Sequence, residues 1–239
     1  MGKVLVLQNA SHFELGSFEE ELNRKQIPFE YHRVYEGSPL PSADQIKNYA
    51  GFIVLGGPLS LRVDQPEKTP WLAQELFFLR SCLDQHYPIF AVGQGANLLA
   101  KAQGAWVERS PQLKEIGWVT AEVYPDYSRN SVIYSQVEEK KFPVFGWYDT
   151  INGFPPQGYW YLTTTNCRYL SFGVHGNCYG FNFHPEITEN LLNEWLKAYP
   201  RDLPNKDAAE QIKAQAAAGL EYNRKLARKI IHALESFLK

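Results

Sequence analysis

The stretch Gly-Phe-Asn-Phe-His-Pro-Glu at 180–186 places a histidine and a carboxylate two residues apart after a short apolar run. In an extended chain, residues i and i+2 point to the same side, so His184 and Glu186 are predicted to lie together. A carboxylate beside an imidazole fixes its tautomer and orientation, as in the catalytic triads of hydrolases. The alternative is a lone histidine followed by a proline turn, and two further segments of the chain weigh against it.

The first of these segments, Tyr-Pro-Ile-Phe-Ala-Val-Gly-Gln-Gly at 87–95, predicts a buried strand that stops at a glycine-rich turn, and a helix-like pattern follows. This order is typical of a nucleophile elbow, a sharp turn that lifts one side chain above the end of a sheet. The predicted apex is Gly93, which has no side chain. Gly95 would keep the helix and the strand from clashing, and the Gln94 amide would be an oxyanion donor. An ordinary strand-to-helix turn with two glycines is the alternative.

The second segment, Val-Leu-Gly-Gly-Pro-Leu-Ser at 54–60, predicts a strand that runs into a tight turn. Glycines allow a ligand to approach the backbone closely, and backbone amides can stabilise a developing oxyanion. Gly-Gly-Pro is also common as a plain turn, so this segment is a weak signal when taken alone.

Alternation of short apolar strands with helices in the first half predicts a parallel sheet covered on both faces. Strands are predicted at 3–8, 29–35, 51–57 and 88–93, and helices at 17–26, 70–86 and 96–103. Ser17, Pro70 and Thr188 are candidate residues for the starts of helices. The second half predicts additional strands, a helix at 187–199, and one or two amphipathic helices after 206, with Gly219 a possible interruption.

We therefore predict a single α/β domain over residues 1–239, with an open, mostly parallel sheet, helices on both faces and a C-terminal helical extension at about 206–239.

The formal net charge is −2 and no block of like charges stands out, which argues against nucleic-acid and membrane-surface partners. Three cysteines without a Cys-x-x-Cys pair argue against a disulfide framework and a zinc site. We find no motif for a cofactor or a metal and no apolar stretch of membrane-spanning length, so a cytoplasmic protein is expected.

Taken in order along the chain, these stretches resemble the class I glutamine amidotransferase family. The segment 54–60 resembles the family's oxyanion motif, and 88–107 resembles its elbow, normally Gly-Ile-Cys-x-Gly-x-Gln-x-x-Ala. Lys-Glu-Ile-Gly-Trp-Val-Thr at 114–120 is similar to a segment of the stand-alone, GMP-synthase-like branch. The stretch 144–186 follows the one that usually contains Trp-His-x-Asp and closes in Gln-Phe-His-Pro-Glu. The resemblance implies a flavodoxin-like fold with extra β-structure in the second half.

The resemblance also implies glutamine hydrolysis, in which a cysteine thiolate attacks the side-chain amide and ammonia leaves. Carried over by position, His184 is the base, Glu186 orients it, and the amides of Gly57 and Gln94 hold the oxyanion. Gly93 stands where the nucleophilic cysteine belongs.

Four residues are carried over to the substrate-binding side of this site. They are Gly56, Asn97, Tyr148 and Asn182. Asn97 stands where the family usually has Gln, Tyr148 replaces a usual His, and Asn182 replaces the Gln before Phe-His-Pro-Glu. These departures leave the specificity of the site open.

Without a thiol at position 93 no thioester can form, and loss of a triad's nucleophile costs about 10⁶ in turnover. Two hypotheses follow. In the first, the protein lacks glutaminase activity and binds glutamine or a γ-glutamyl compound, or regulates a partner such as a separate synthetase. The changes at Asn97, Tyr148 and Asn182 favour it. In the second, it is a genuine amidotransferase or γ-glutamyl hydrolase or transferase whose cysteine at position 93 was replaced by engineering. The intact His184–Glu186 pair favours that alternative.

Overall fold

The computed structural model describes residues 2–238, except the side chains of residues 151 and 152. Residues 1 and 239 of the predicted domain lie outside the described part. The strands are β1 (Lys3–Gln8), β2 (Phe29–Arg33), β3 (Tyr49–Val54), β4 (Ile89–Val92), β5 (Val107–Arg109), β6 (Glu115–Val123), β7 (Lys141–Tyr148), β8 (Thr150–Asn152), β9 (Tyr159–Thr163), β10 (Ser171–Val174) and β11 (Cys178–Phe181). The helices are α1 (Ser17–Arg24), α2 (Ala43–Ile46), α3 (Pro70–Asp84), α4 (Gln94–Ala102), α5 (Pro125–Ser128), α6 (Glu189–Ala198), α7 (Ala208–Ala214) and α8 (Ala216–Phe237).

Within residues 2–238, nine strands form one sheet in the order β2-β1-β3-β4-β11-β10-β9-β6-β7. The strands from β2 to β11 in this order run parallel, and the rest are antiparallel to their neighbours. The predicted open, mostly parallel sheet with added β-structure from the second half is therefore confirmed. Because β11 pairs with β4, the predicted elbow and the His184 segment leave the sheet side by side.

Alternate residues of the parallel strands face two separate cores, as period-2 strands buried on both faces require. On β1, Val4 and Val6 face one core, to which α1 and α8 contribute, whereas Leu5 and Leu7 face the core formed with α3 and α4. The parallel strands are thus covered on both faces. This burial explains why they read as continuous apolar runs.

The C-terminal helices belong to the same packed body as the sheet. Leu226, Ile230 and Leu234 of α8 are each at most 1% exposed and lie in the core shared with α1. The break between α7 and α8 falls at Gln215 and not at Gly219, so the predicted interruption was wrong. α8 continues through Gly219, where the Trp118 ring leaves no room for a side chain, because a Cβ atom would lie 2.3 Å from Trp118 Cε3.

This contact reverses the usual effect of a Gly-to-Ala change in a helix. Helix propensity alone would make Gly219→Ala more stable by about 1 kcal/mol, but the added methyl overlaps the Trp118 ring and overpacking costs about 1–3 kcal/mol. We expect Gly219→Ala to lower the free energy of unfolding, measured by urea denaturation. The exposed neighbour Ala217 is the matched control: Ala217→Gly should show only the propensity cost. Stabilisation by Gly219→Ala would contradict the packing described.

Two predicted helix starts are confirmed and one is corrected. Pro70 occupies the first turn of α3, and the Thr188 hydroxyl caps α6 by accepting from the Leu191 N–H at 3.3 Å. Ser17 does not cap α1, because the N-cap is Gly16, with φ +51° and ψ −125°. Ser17 instead donates its backbone N–H to the Glu186 carbonyl at 2.9 Å, which fixes the start of α1 against the His184 segment.

Candidate functional site

The predicted strand–turn–helix around Gly93 is present. β4 ends at Val92 and α4 begins at Gln94, with Gly93 between them at φ +52° and ψ −126°. Residues with a side chain adopt this backbone conformation only at a cost of about 1–3 kcal/mol, and glycine avoids that cost. The Gly93 N–H donates to the Phe181 carbonyl at 2.8 Å, which joins the turn to the end of β11.

Gly95 has the role in this turn that the sequence predicted. A Cβ atom on Gly95 would lie 2.5 Å from the Val54 carbonyl oxygen and 2.9 Å from that of Leu55. Only glycine lets α4 start this close to the end of β3. The close approach brings the Gly56-Gly57 turn beside the apex.

His184 and Glu186 form the predicted pair. The His184 Nδ1 lies 2.7 Å from Glu186 Oε1, and the two side chains are 0% and 1% exposed. The reason given from the sequence was wrong, because the residues lie in a turn closed by the Ile187 N–H on the His184 carbonyl rather than in an extended chain. A carboxylate only accepts hydrogen bonds, so we place the proton on Nδ1 and leave Nε2 as the basic nitrogen.

The imidazole ring lies directly over the apex of the turn. A Cβ atom on Gly93 would be 2.3 Å from His184 Cε1 and 2.6 Å from Nε2. The ring also packs against Trp195, edge-on at 4.7 Å between centroids, and Phe13 at 5.9 Å. The Nε2 atom has no hydrogen-bond partner among the described residues. His184 therefore fills the space that a side chain at position 93 would need.

The glycines of the second segment differ in their distance from the apex. A Cβ atom on Gly56 would be 3.1 Å from His184 Cε1 and 3.2 Å from the Gln94 nitrogen, whereas one on Gly57 would meet Leu61 Cδ2 at 2.6 Å. Of the two glycines, Gly56 is thus the one next to the His184 ring. The oxyanion roles of Gly57 and Gln94 remain predictions.

Asn97 and Asn182 join in a buried amide network. Asn97 Nδ2 donates to Asn182 Oδ1 at 2.9 Å, and Asn182 Nδ2 donates to the Thr150 carbonyl at 3.3 Å. Gln94 Nε2 reaches the Thr150 hydroxyl at 3.4 Å. Sequence reasoning missed Thr150, although its position two residues after Tyr148 was a usable signal. The network binds its members to each other, and their substrate-binding roles remain predictions.

Tyr148 is buried at the end of β7, where its hydroxyl donates to the Glu115 carboxylate and lies 3.5 Å from the Thr164 hydroxyl. Burial raises the pKa of Tyr148 well above its usual value, and the neighbouring Cys167 and Glu115 act in the same direction. The phenol is therefore a neutral donor whose hydroxyl is engaged with Glu115 rather than with His184.

None of the three cysteines lies at the apex of the turn. Cys178 pairs with Ile89, at the opposite end of β4 from Gly93, and Cys82 is buried on α3. Cys167 is closer, with its sulfur 3.6 Å from Asn182 Nδ2. Burial raises the pKa of Cys167 and of Cys178 to about 12, so both remain thiols near neutral pH.

One contact to the site comes from α8 and was not predicted. The buried Asn223 donates Nδ2 to the His184 carbonyl at 3.1 Å. On the sequence it is a polar residue on the apolar face of a helix, three residues before Leu226, and that was the only available signal.

Among residues 2–238 there is no group of three or more His, Cys, Asp or Glu side chains able to hold a metal ion. The same range contains no helix both long and apolar enough to span a membrane.

Among curated proteins, the chain is similar to the GMP synthase [glutamine-hydrolyzing] of Borrelia garinii subsp. bavariensis, with 27% identity over 149 residues. That alignment covers 62% of this chain and 26% of the relative. The protein of the same name from Alkalilimnicola ehrlichii is also 27% identical over 149 residues, covering 58% of this chain and 26% of that protein. The chain thus spans about a quarter of the length of the curated relatives it matches. No protein-family model matches the chain.

Among solved structures, a glutamine amidotransferase from Thermotoga maritima superposes with a TM-score of 0.86 at 24% identity, covering 100% of this chain and 98% of that one. A glutamine amido transferase from Methylobacillus flagellatus gives a TM-score of 0.86 at 23% identity, covering 100% of this chain and 96% of that one. The fold is therefore the flavodoxin-like fold of class I glutamine amidotransferases.

Proposed function

We propose that this chain is a class I glutamine amidotransferase-like protein whose glutaminase-type site does not hydrolyse glutamine through a covalent intermediate. The shared fold and the two GMP synthase relatives support the family. The observation that carries the proposal is the position of Gly93 at the apex of the turn, with the paired His184 ring where a side chain would be.

The chemistry available at the site is that of a base without a nucleophile. Glu186 holds the Nδ1 proton of His184, which leaves Nε2 free to accept a proton from a water molecule. Direct attack by water on a carboxamide forgoes covalent catalysis. Loss of the nucleophile of a hydrolytic triad lowers turnover by about 10⁶, which is too slow to supply ammonia to metabolism.

The remaining roles of such a site are to bind a glutamine-like ligand and to regulate a partner. Gln94 directly follows Gly93, and its side-chain amide joins those of Asn97 and Asn182 in a buried amide network, with which a carboxamide pairs by exchanging hydrogen bonds. We assign to the site a glutamine or γ-glutamyl ligand. The partner that would respond is a synthetase on a separate chain.

A second candidate function is genuine glutamine hydrolysis, with the native cysteine at position 93 replaced. The intact His184–Glu186 pair at 2.7 Å favours it, because an unused pair is under no pressure to keep this geometry. Reading codon 93 in the native gene separates the two candidates directly.

Calorimetry tests ligand binding by the wild-type protein. We expect saturable heat with L-glutamine and no ammonia release from the same sample. Asparagine, one methylene shorter, is the matched control and should give only the heat of dilution. If glutamine, glutamate and γ-glutamyl amines all give no heat, the ligand-binding role is wrong. Ammonia release by the wild-type chain would overturn the proposal of a non-hydrolytic site.

A further inference from the structure

The segment that connects α6 to α7, residues 199–207, contacts His184 indirectly, because its Tyr199 ring lies 5.8 Å from the Phe13 ring, which in turn lies 5.9 Å from His184. We name this segment the strap. It contains turns and bends without helix or strand, and most of its side chains are exposed. Its half-buried residues are Tyr199, Asp202 and Leu203. A segment with few buried side chains opens at a lower free energy than the sheet beneath it.

One carboxylate of the strap holds a loop residue, Leu59, and a strand residue, Trp147 of β7. Asp202 Oδ2 accepts from the Leu59 backbone N–H at 3.3 Å and from the Trp147 indole N–H at 3.2 Å. Leu59 follows the Gly56-Gly57-Pro58 turn, and Trp147 is near the end of β7. Lys114 Nζ donates to the Asp202 carbonyl, which ties the strap to the start of β6 as well.

The two residues that Asp202 holds belong to the apolar cluster next to His184. Leu59 and Trp147 lie in one apolar cluster with Phe13 and Trp195, the two rings that contact His184. His184 itself is 0% exposed. A ligand therefore reaches the imidazole only when part of this cluster moves, and Asp202 joins two of its parts.

We propose that the strap is a lid, latched by the Asp202 carboxylate, and that release of the latch opens the His184 site to a carboxamide ligand. The inference rests on the proposed function for its ligand, but the opening itself is a property of the fold. Because the latch is a charged acceptor shared by two donors, removing that acceptor should raise the open population. An asparagine at position 202 keeps an oxygen acceptor and should preserve most of the latch.

The test measures access to His184 with diethyl pyrocarbonate, which modifies neutral imidazole, followed by peptide mass spectrometry of the full chain. In the wild type, His184 should react at least tenfold more slowly than the exposed His12, His86 and His175. We expect Asp202→Ala to accelerate the modification of His184 at least tenfold, with no change at the exposed histidines. Asp202→Asn should stay near the wild-type rate, and so should Lys206→Ala, an exposed residue of the strap.

Two buried cysteines away from the strap distinguish a local opening from global unfolding. Cys82 and Cys178 should remain unreactive towards a thiol reagent when only the lid opens. If Asp202→Ala exposes them together with His184, Lys114→Ala provides a second variant that removes only the contact with the Asp202 carbonyl.

Selective exposure of His184 in either variant supports the lid. The proposal is overturned if His184 stays protected in a folded Asp202→Ala protein, or if its exposure accompanies that of Cys82 and Cys178 in both variants. The readout needs neither glutamine nor catalysis. A failure of the proposed function is therefore distinguishable from a failure of the lid.

Discussion

Gly93→Cys is expected to lower the free energy of unfolding by about 2–6 kcal/mol and to leave glutamine unhydrolysed. Part of the cost is backbone strain of about 1–3 kcal/mol at φ +52°, and overpacking adds about 1–3 kcal/mol. The new Cβ atom would lie 2.3 Å from His184 Cε1, so the ring must retreat by about 1 Å to reach the 3.4 Å of ordinary contact. That movement strains the 2.7 Å contact with Glu186 and the packing on Trp195.

Three comparisons isolate these contributions. Gly93→Ala adds the Cβ atom without the thiol and should lose about as much stability in urea denaturation. Gly37→Ala is the control for positive φ alone, because Gly37 has φ +80° and nothing within 4 Å of the new methyl group. In a double-mutant cycle, His184→Ala should recover much of the loss in Gly93→Ala, because it removes the ring that the methyl group meets.

An ammonia assay on the same variants tests the function. Sustained ammonia release from glutamine by Gly93→Cys, absent from Gly93→Ala, would show that the remaining machinery is intact. That outcome would favour the second candidate, a genuine amidotransferase with a replaced cysteine. If the folded Gly93→Cys protein releases no ammonia, residues other than the one at position 93 also prevent hydrolysis, which supports the first candidate.

Glu75→Gln is expected to remove a large pH dependence of stability. Glu75 lies on α3 with 0% exposure, and its Oε1 accepts from Asn9 Nδ2 at 3.2 Å. Burial raises the pKa of Glu75 from 4.5 to about 8, and the hydrogen bond from Asn9 opposes this shift. The folded protein thus holds a proton that the unfolded chain releases near pH 4.5. The contribution of this carboxyl to stability is fully present below pH 4.5 and is lost as the pH rises to about 8.

Between these two pKa values, the free energy of unfolding of the wild type should fall by about 1.4 kcal/mol per pH unit because of Glu75. Urea denaturation from pH 5 to pH 9 measures this effect. Over that range the free energy of unfolding of Glu75→Gln should rise by about 4 kcal/mol relative to that of the wild type, because glutamine carries no charge at any pH. Glu210→Gln, at an exposed position on α7, is the matched control and should show no such trend. A constant difference between Glu75→Gln and the wild type would mean that Glu75 ionises normally in the folded protein.

The elements of the site that could be predicted from the sequence are those fixed by local rules. The turn at Gly93 follows from an apolar run that ends at a glycine and is followed by a helical pattern. Gly95 follows from the need for a small residue where the helix starts against a strand. The pairing of His184 with Glu186 follows from their spacing, although a turn and not a strand brings them together. The parallel sheet follows from the alternation of buried strands and helices.

The elements that could not be predicted depend on contacts between distant parts of the chain. No local pattern says that Trp118 packs on Gly219 or that Asn223 reaches the His184 carbonyl. Ser17 has the residue type of a helix cap, but the Glu186 carbonyl takes its N–H and Gly16 becomes the cap. The position of the His184 ring over Gly93 likewise depends on Trp195 and Phe13, which belong to other elements.

The hydrogen bond from Asn223 to the His184 carbonyl joins the site to the last helix of the chain to be synthesised. α8 follows every other element of the site along the chain. A nascent chain that has emerged only as far as α6 carries Gly93, His184 and Glu186 but lacks the helix that closes this core. A ribosome-bound chain stalled before residue 216 should therefore lack the Asn223 hydrogen bond to the His184 carbonyl.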